Sequence, residues 1–70
     1  MNKELLLKFG GQVKAERLKR GISQERLGQL SGVHRTYIGM IERGEKNITL
    51  TNIQKIAKGL EMKMSELMDL

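Results

Sequence analysis

The sequence predicts an all-α fold, five helices joined by short connections. Three observations predict it. Apolar residues recur at helical spacing, most plainly at Leu50, Ile53, Ile56, Ala57 and Leu60. Residues that start helices (Ser23, Thr49) and glycines that end them (Gly21, Gly32, Gly44) divide the chain into helix-sized lengths. No proline, low-complexity run or internal repeat interrupts the pattern.

The first helix is predicted over Met1 to Arg20, with Phe9 and Val13 four apart and Leu5, Leu6 and Leu18 nearby. The pair Gly10-Gly11 weakens it by about 1 kcal/mol per glycine relative to alanine. Gly21 caps its end, and Ile22 is expected to be buried.

The stretch from Ser23 to Arg43 organises the chain as two short helices around a tight turn. The Ser23 hydroxyl can accept a backbone N–H left free in the first turn. Gln24 and Glu25 follow, and the Glu25 charge suits the positive end of the helix. Leu27 and Leu30 are three apart and so share a face. Gly28, between them, has no side chain to hold a second helix away. Gly32 supplies the left-handed residue that a sharp turn needs. Apolar positions resume at Val33, Ile38 and Ile41. His34, Arg35, Thr36, Tyr37, Gly39, Met40 and Arg43 are left facing outward. A helix with such a polar, basic face beside a tight turn is a form that reads the major groove of DNA.

Gly44 closes that helix, and a loop runs from Glu45 to Thr49. Ile48 is either a plug over the core or part of a contact with a second copy. Thr49 is the expected N-cap of a helix over Leu50 to Leu60, whose apolar stripe is expected to be core. Gly59 inside it implies close packing or early fraying. The last segment, Met62 to Leu70, carries more apolar side chains than one protomer is expected to cover. Some of that surface is expected to meet its copy across a two-fold axis; the alternative is that all of it folds onto the protomer core.

Seventy residues make one domain, residues 1–70, of marginal stability alone. With no cysteine and one histidine, neither a disulfide nor a structural zinc is expected. No apolar run has membrane-spanning length and no signal peptide is expected, and the absence of cysteine fits a cytoplasmic protein. The net charge of +5 is unevenly placed. Residues 1–48 hold ten of the thirteen Lys and Arg and five of the eight acids, and the remainder is neutral. A basic half joined to a neutral half suits one surface on phosphates and another on protein, although charge alone speaks only weakly for nucleic acid.

The spacing of Gln24, Leu27, Gly28, Gly32, Val33, Ile38 and Ile41 resembles the helix-turn-helix family of phage repressors and their small bacterial relatives. The resemblance covers nearly the whole chain. Within it, HRTYIGMIERGEKNITL is most like the controller proteins of restriction–modification systems, which are small homodimeric regulators. The resemblance implies a five-helix repressor-like domain, its motif formed by the second and third helices and its C-terminal helix contributing to dimerisation. It implies an ion pair between Arg17 and Glu42, and close helix packing at the Gly10-Gly11 pair. It further implies that Gln24 bonds a phosphate, and that the loop bearing Lys46 and Asn47 faces the DNA backbone. Most relatives carry glycine where Glu61 stands, which leaves the end of the fourth helix open. The implied locale is bacterial or phage, on the nucleoid.

Arg35 and Thr36 stand at the helix end that meets base edges. The planar fork of Arg35 can bond guanine O6 and N7 together, and Thr36 offers a hydroxyl and a methyl. His34 suits a cap or phosphate contact. Tyr37 either meets the sugar-phosphate backbone or is structural. Arg43, Lys46 and Asn47 would hold phosphates or reach a minor groove, positioning the protein without specifying sequence. Ile48, Met64, Leu67, Met68 and Leu70 are the expected dimer contacts. Glu25 lies where activating relatives touch RNA polymerase, though its pairing with the helix dipole is reason enough for it. The expected partners are a double-stranded, palindromic DNA operator with half-sites ~34 Å apart and a second copy of the chain. No cofactor, metal, small molecule or membrane partner is expected. Nor is catalysis: the acids are scattered, there is no Cys nucleophile, and GQLSG lacks the serine of a nucleophile elbow. The alternative on this scaffold is an antitoxin or protein-binding adaptor, and an antitoxin would need a further segment to grip its toxin.

Overall fold

The computed structural model describes residues 2–70; Met1, included in the expected first helix, lies outside them. Five helices and no strand occur among the described residues: α1 Lys3–Lys19, α2 Gln24–Ser31, α3 Arg35–Glu42, α4 Leu50–Gly59 and α5 Met64–Leu67. The starts of the first four helices are chemically set. Asn2, Ser23 and Thr49 each accept a backbone N–H three residues on, at 2.8, 2.9 and 3.1 Å. His34 caps α3 through its ring, accepting the N–H of Thr36 two residues on. At α5 the Glu66 carboxylate reaches back to the N–H of Lys63, at 2.8 Å.

Gly21 and Gly44, with φ of 64° and 69°, end α1 and α3 as expected. The end of α4 departs from that pattern. Glu61 holds the same left-handed conformation, φ 58°, and the chain still folds back through Met62 N–H to the Ala57 carbonyl at 2.8 Å. A glutamate there costs roughly 1–2 kcal/mol that a glycine would not.

α1 packs on α3, α2 on both α3 and α4, and α5 closes against α4 and α1. The core they enclose is built on Phe9, Val13, Leu27, Ile38, Ile41, Ile53, Ile56 and Leu60, all essentially buried. Arg20 ties two helix ends together, its Nε donating to the Leu60 carbonyl at 2.8 Å.

Three expectations about apolar side chains, at Leu50, Leu67 and Ile22, are corrected. Leu30 shares a helix with Leu27 but is exposed, and Leu18 and Leu50 are also on the surface, Leu50 at 73% exposure. Helical spacing gives each a direction but does not by itself supply a neighbour to cover it. Leu67, expected in a dimer contact, is fully buried in the protomer core and has no surface to offer a second copy. Ile22 is half-buried, against the core, rather than enclosed. Ile48, Met62, Met64 and Met68 also pack partly against the core, and Leu70 is 42% exposed. Gly59 is explained by packing, since a side chain there would meet Ser31 of α2 at 3.0–3.2 Å. No helix among the described residues is long and apolar enough to cross a membrane.

Candidate nucleic-acid interface

The α2–turn–α3 unit is built by close approach. Gly32 adopts φ 76°, and its N–H returns to the Gly28 carbonyl at 2.8 Å. A side chain on Gly28 would strike the Val33 carbonyl oxygen at 2.6 Å, so glycine is what allows the turn to fold back on α2. Buried Ser31 lines the inside of the turn and accepts the Val33 N–H at 3.3 Å. Val33, Ile38 and Ile41 then point inward.

The far end of α3 is pinned by charge. Arg17 meets Glu42 through two bonds, Nε to Oε2 at 2.7 Å and Nη2 to Oε1 at 3.0 Å, and its Nη1 donates to the Ile22 carbonyl at 2.9 Å. The Glu42 side chain is 3% exposed and that of Arg17 10%. The bonded carboxylate raises the Arg17 pKa further above its ordinary value, against the opposing effect of burial. Gln24 completes the group, its amide donating to Glu42 Oε1 at 3.1 Å. A residue at the start of α2 is thereby locked to the end of α3. α1 lies so close here that a Gly10 side chain would collide with the backbone carbonyls of Ile41 and Glu42. Lys3 adds a bond to the Gly44 carbonyl at 2.7 Å, just past the α3 C-terminus, where a cation is favoured.

Held this way, α3 exposes His34, Arg35, Thr36 and Arg43. His34 acts as the cap, its Nδ1 accepting the Thr36 N–H at 3.0 Å. Arg35 reaches across the turn to Glu25, Nη1 to Oε2 at 2.8 Å, and both side chains remain more than half exposed. Arg43 Nε meets Glu45 Oε2 at 2.9 Å. That bond holds the Glu45 carboxyl below its ordinary pKa, with a smaller contribution from Lys3, and raises that of Arg43. Tyr37 is half-buried against the core, and its hydroxyl donates to the Asn47 carbonyl at 3.0 Å, joining α3 to the following loop. Lys46 and Asn47 are exposed on that loop.

One member of the expected outward face moves. Gly39 is buried, and a side chain there would lie 3.2 Å from Arg43 Nη1 and 3.3 Å from Gln24 Oε1. It is the floor between those two polar groups. The partners of Arg35, Arg43, Gln24 and Tyr37 were not foreseen. Each is set by the crossing of elements, which residue spacing does not encode. Among the described residues no three His, Cys, Asp or Glu side chains are arranged to hold a metal ion.

Comparison with known proteins places this geometry. The family model described as Helix-turn-helix matches residues 13–67. The chain is 44% identical over 70 residues to the control protein C.BamHI of Bacillus amyloliquefaciens, covering 99% of this chain and 86% of that protein. It is 43% identical over 56 residues to the control protein C.SmaI of Serratia marcescens, covering 80% and 67%. The crystal structure of the restriction–modification controller protein C.AhdI from Aeromonas hydrophila superposes with a TM-score of 0.86 at 45% identity, covering 89% of this chain and 94% of that one. The match runs over nearly the full length, and the chain belongs to the helix-turn-helix family, among the restriction–modification control proteins.

Proposed function

We propose that two copies of this chain bind a palindromic DNA operator and so regulate transcription within a restriction–modification system. The observation that carries the reading is the pairing of an exposed α3 N-terminus with an α3 C-terminus held by the buried Arg17–Glu42 ion pair. Arg35 and Thr36 are accessible at the end of the helix that enters a major groove. The Arg17–Glu42–Gln24 group fixes how that helix stands on the rest of the protein.

On this reading Arg35 reads guanine and Thr36 a neighbouring base edge or thymine methyl. Gln24, His34, Arg43, Lys46 and Asn47 hold the backbone or a minor groove. Tyr37 serves the interface by anchoring the loop that carries Lys46 and Asn47. Self-association uses Ile48, Met64, Met68 and Leu70, and the exposed Leu50 belongs with them because it follows Ile48 by two residues. Glu25 reaches RNA polymerase only after Arg35 has left it. The setting is the bacterial cytoplasm, and the role is regulatory, not catalytic.

Selection of bound sequences from a random duplex pool gives the operator, and Arg35→Ala is then tested on it. The substitution should cost on the order of 1–3 kcal/mol and relax preference at one base pair in each half-site. Equal weakening on every sequence would make Arg35 a phosphate clamp and overturn its role as a reader. No affinity for any duplex at low salt would overturn DNA binding itself.

A further inference from the structure

Both arginines flanking the reading helix are held by carboxylates from outside it. Arg35, at the α3 N-terminus, is bonded at 2.8 Å to Glu25 of α2. Arg43, just past its C-terminus, is bonded at 2.9 Å to Glu45 of the loop. The two acids come from different elements, on opposite ends of the helix, and both pairs are exposed. Lys46, next along the loop, is held by no carboxylate among the described residues. Stability does not explain the arrangement, because exposed ion pairs of this kind contribute little to folding.

Resting on the DNA-binding reading, we infer that Glu25 and Glu45 weaken the protein's hold on random-sequence DNA by masking Arg35 and Arg43 in the free protein. A single phosphate offers an arginine roughly what the carboxylate already offers, one charged acceptor. Exchanging one for the other on random sequence therefore gains little. A guanine edge offers Arg35 two acceptors in the plane of its fork, and a docked operator holds a phosphate in fixed register for Arg43. Only the correct site makes the exchange favourable. On random sequence the carboxylates therefore keep their arginines, and the phosphate contacts those arginines would make are lost.

The test is a double-mutant cycle read on a random-sequence DNA duplex titrated across salt concentrations. Glu25→Gln and Glu45→Gln are made in the wild type, and again in Arg35→Ala and Arg43→Ala respectively. Circular dichroism confirms that each variant is folded. Each glutamine variant should bind the random duplex about two- to five-fold more tightly than the wild type. Its log–log salt dependence should steepen by about 0.9, one more cation reaching a phosphate. Both changes should vanish when the partner arginine is absent. A gain that persists without the arginine would show a general charge effect and overturn the inference, and so would no gain at all. A wild type that binds no duplex at low salt would instead refute the DNA-binding reading on which this one stands.

Discussion

Arg17 is the side chain on which the orientation of the reading helix most depends. It is 8% exposed, its guanidinium makes three hydrogen bonds, and two of them go to one carboxylate. Removing it leaves Glu42 enclosed without a counter-charge, which typically costs roughly 3–5 kcal/mol. A domain this small rarely has more than ~3–5 kcal/mol in total, so Arg17→Met should be largely unfolded at room temperature by circular dichroism. Replacing both partners removes the stranded charge, and Arg17→Met with Glu42→Leu should recover a cooperative melt. Unpaired Gln24 would then lose its hold on α3, so the refolded double variant should still bind operator DNA poorly. The Arg17–Glu42 pair was legible only through family resemblance, because twenty-five positions separate its members. Gln24's bond to Glu42 was not legible, because nothing in the spacing shows that the start of one helix lies beside the end of the next.

At the scale of the elements, α1 and α3 carry a contrast within two adjacent residues. Gly10 faces α3 so closely that a methyl group would collide with the Ile41 oxygen and lie 2.8 Å from that of Glu42, and both are backbone atoms that cannot rotate away. Gly11 has nothing within 4 Å of where its methyl would stand. Gly11→Ala should therefore stabilise the domain by about 0.5–1 kcal/mol through helix propensity alone. Gly10→Ala should destabilise it by roughly 1–3 kcal/mol, because α1 must lift from α3. Thermal melts of the two variants should move in opposite directions by several degrees. Destabilisation by both would mean that propensity, packing or both are misassigned. Helix positions were legible at this scale because caps and glycines are local chemistry, as at Ser23, Gly32 and Thr49. Burial was less so. Leu30 and Leu50 fit the apolar stripes, yet a stripe only gives a direction, and whether another element covers its edge depends on how far that element extends. The same blindness placed Leu67 at a seam between copies when its own protomer already encloses it.

For the whole molecule, size bears on assembly. The protomer measures 27 × 23 × 21 Å. Successive major grooves on one face of DNA lie ~34 Å apart, so one copy cannot place a helix in two of them. The proposed reading of a palindrome therefore calls for two copies, and the neutral C-terminal segment is the proposed place to join them. The net +5 resides entirely in residues 1–48, while the neutral remainder carries half-buried Met64 and Met68 and exposed Leu70. Leu70 gives the cleanest probe, since at 42% exposure its replacement disturbs the protomer core little. If folding is linked to pairing, mass action stabilises the dimer by about 1.4 kcal/mol for each tenfold rise in concentration. The wild-type melting temperature should then climb with the logarithm of protein concentration. Leu70→Lys should flatten that dependence by setting like charges against each other at the seam. Its affinity for a full palindrome should drop, whereas affinity for an isolated half-site should be nearly unchanged, because Arg35 and Thr36 are untouched. A wild-type melting temperature independent of concentration, with sedimentation showing one copy, would mean that each protomer reads its half-site alone.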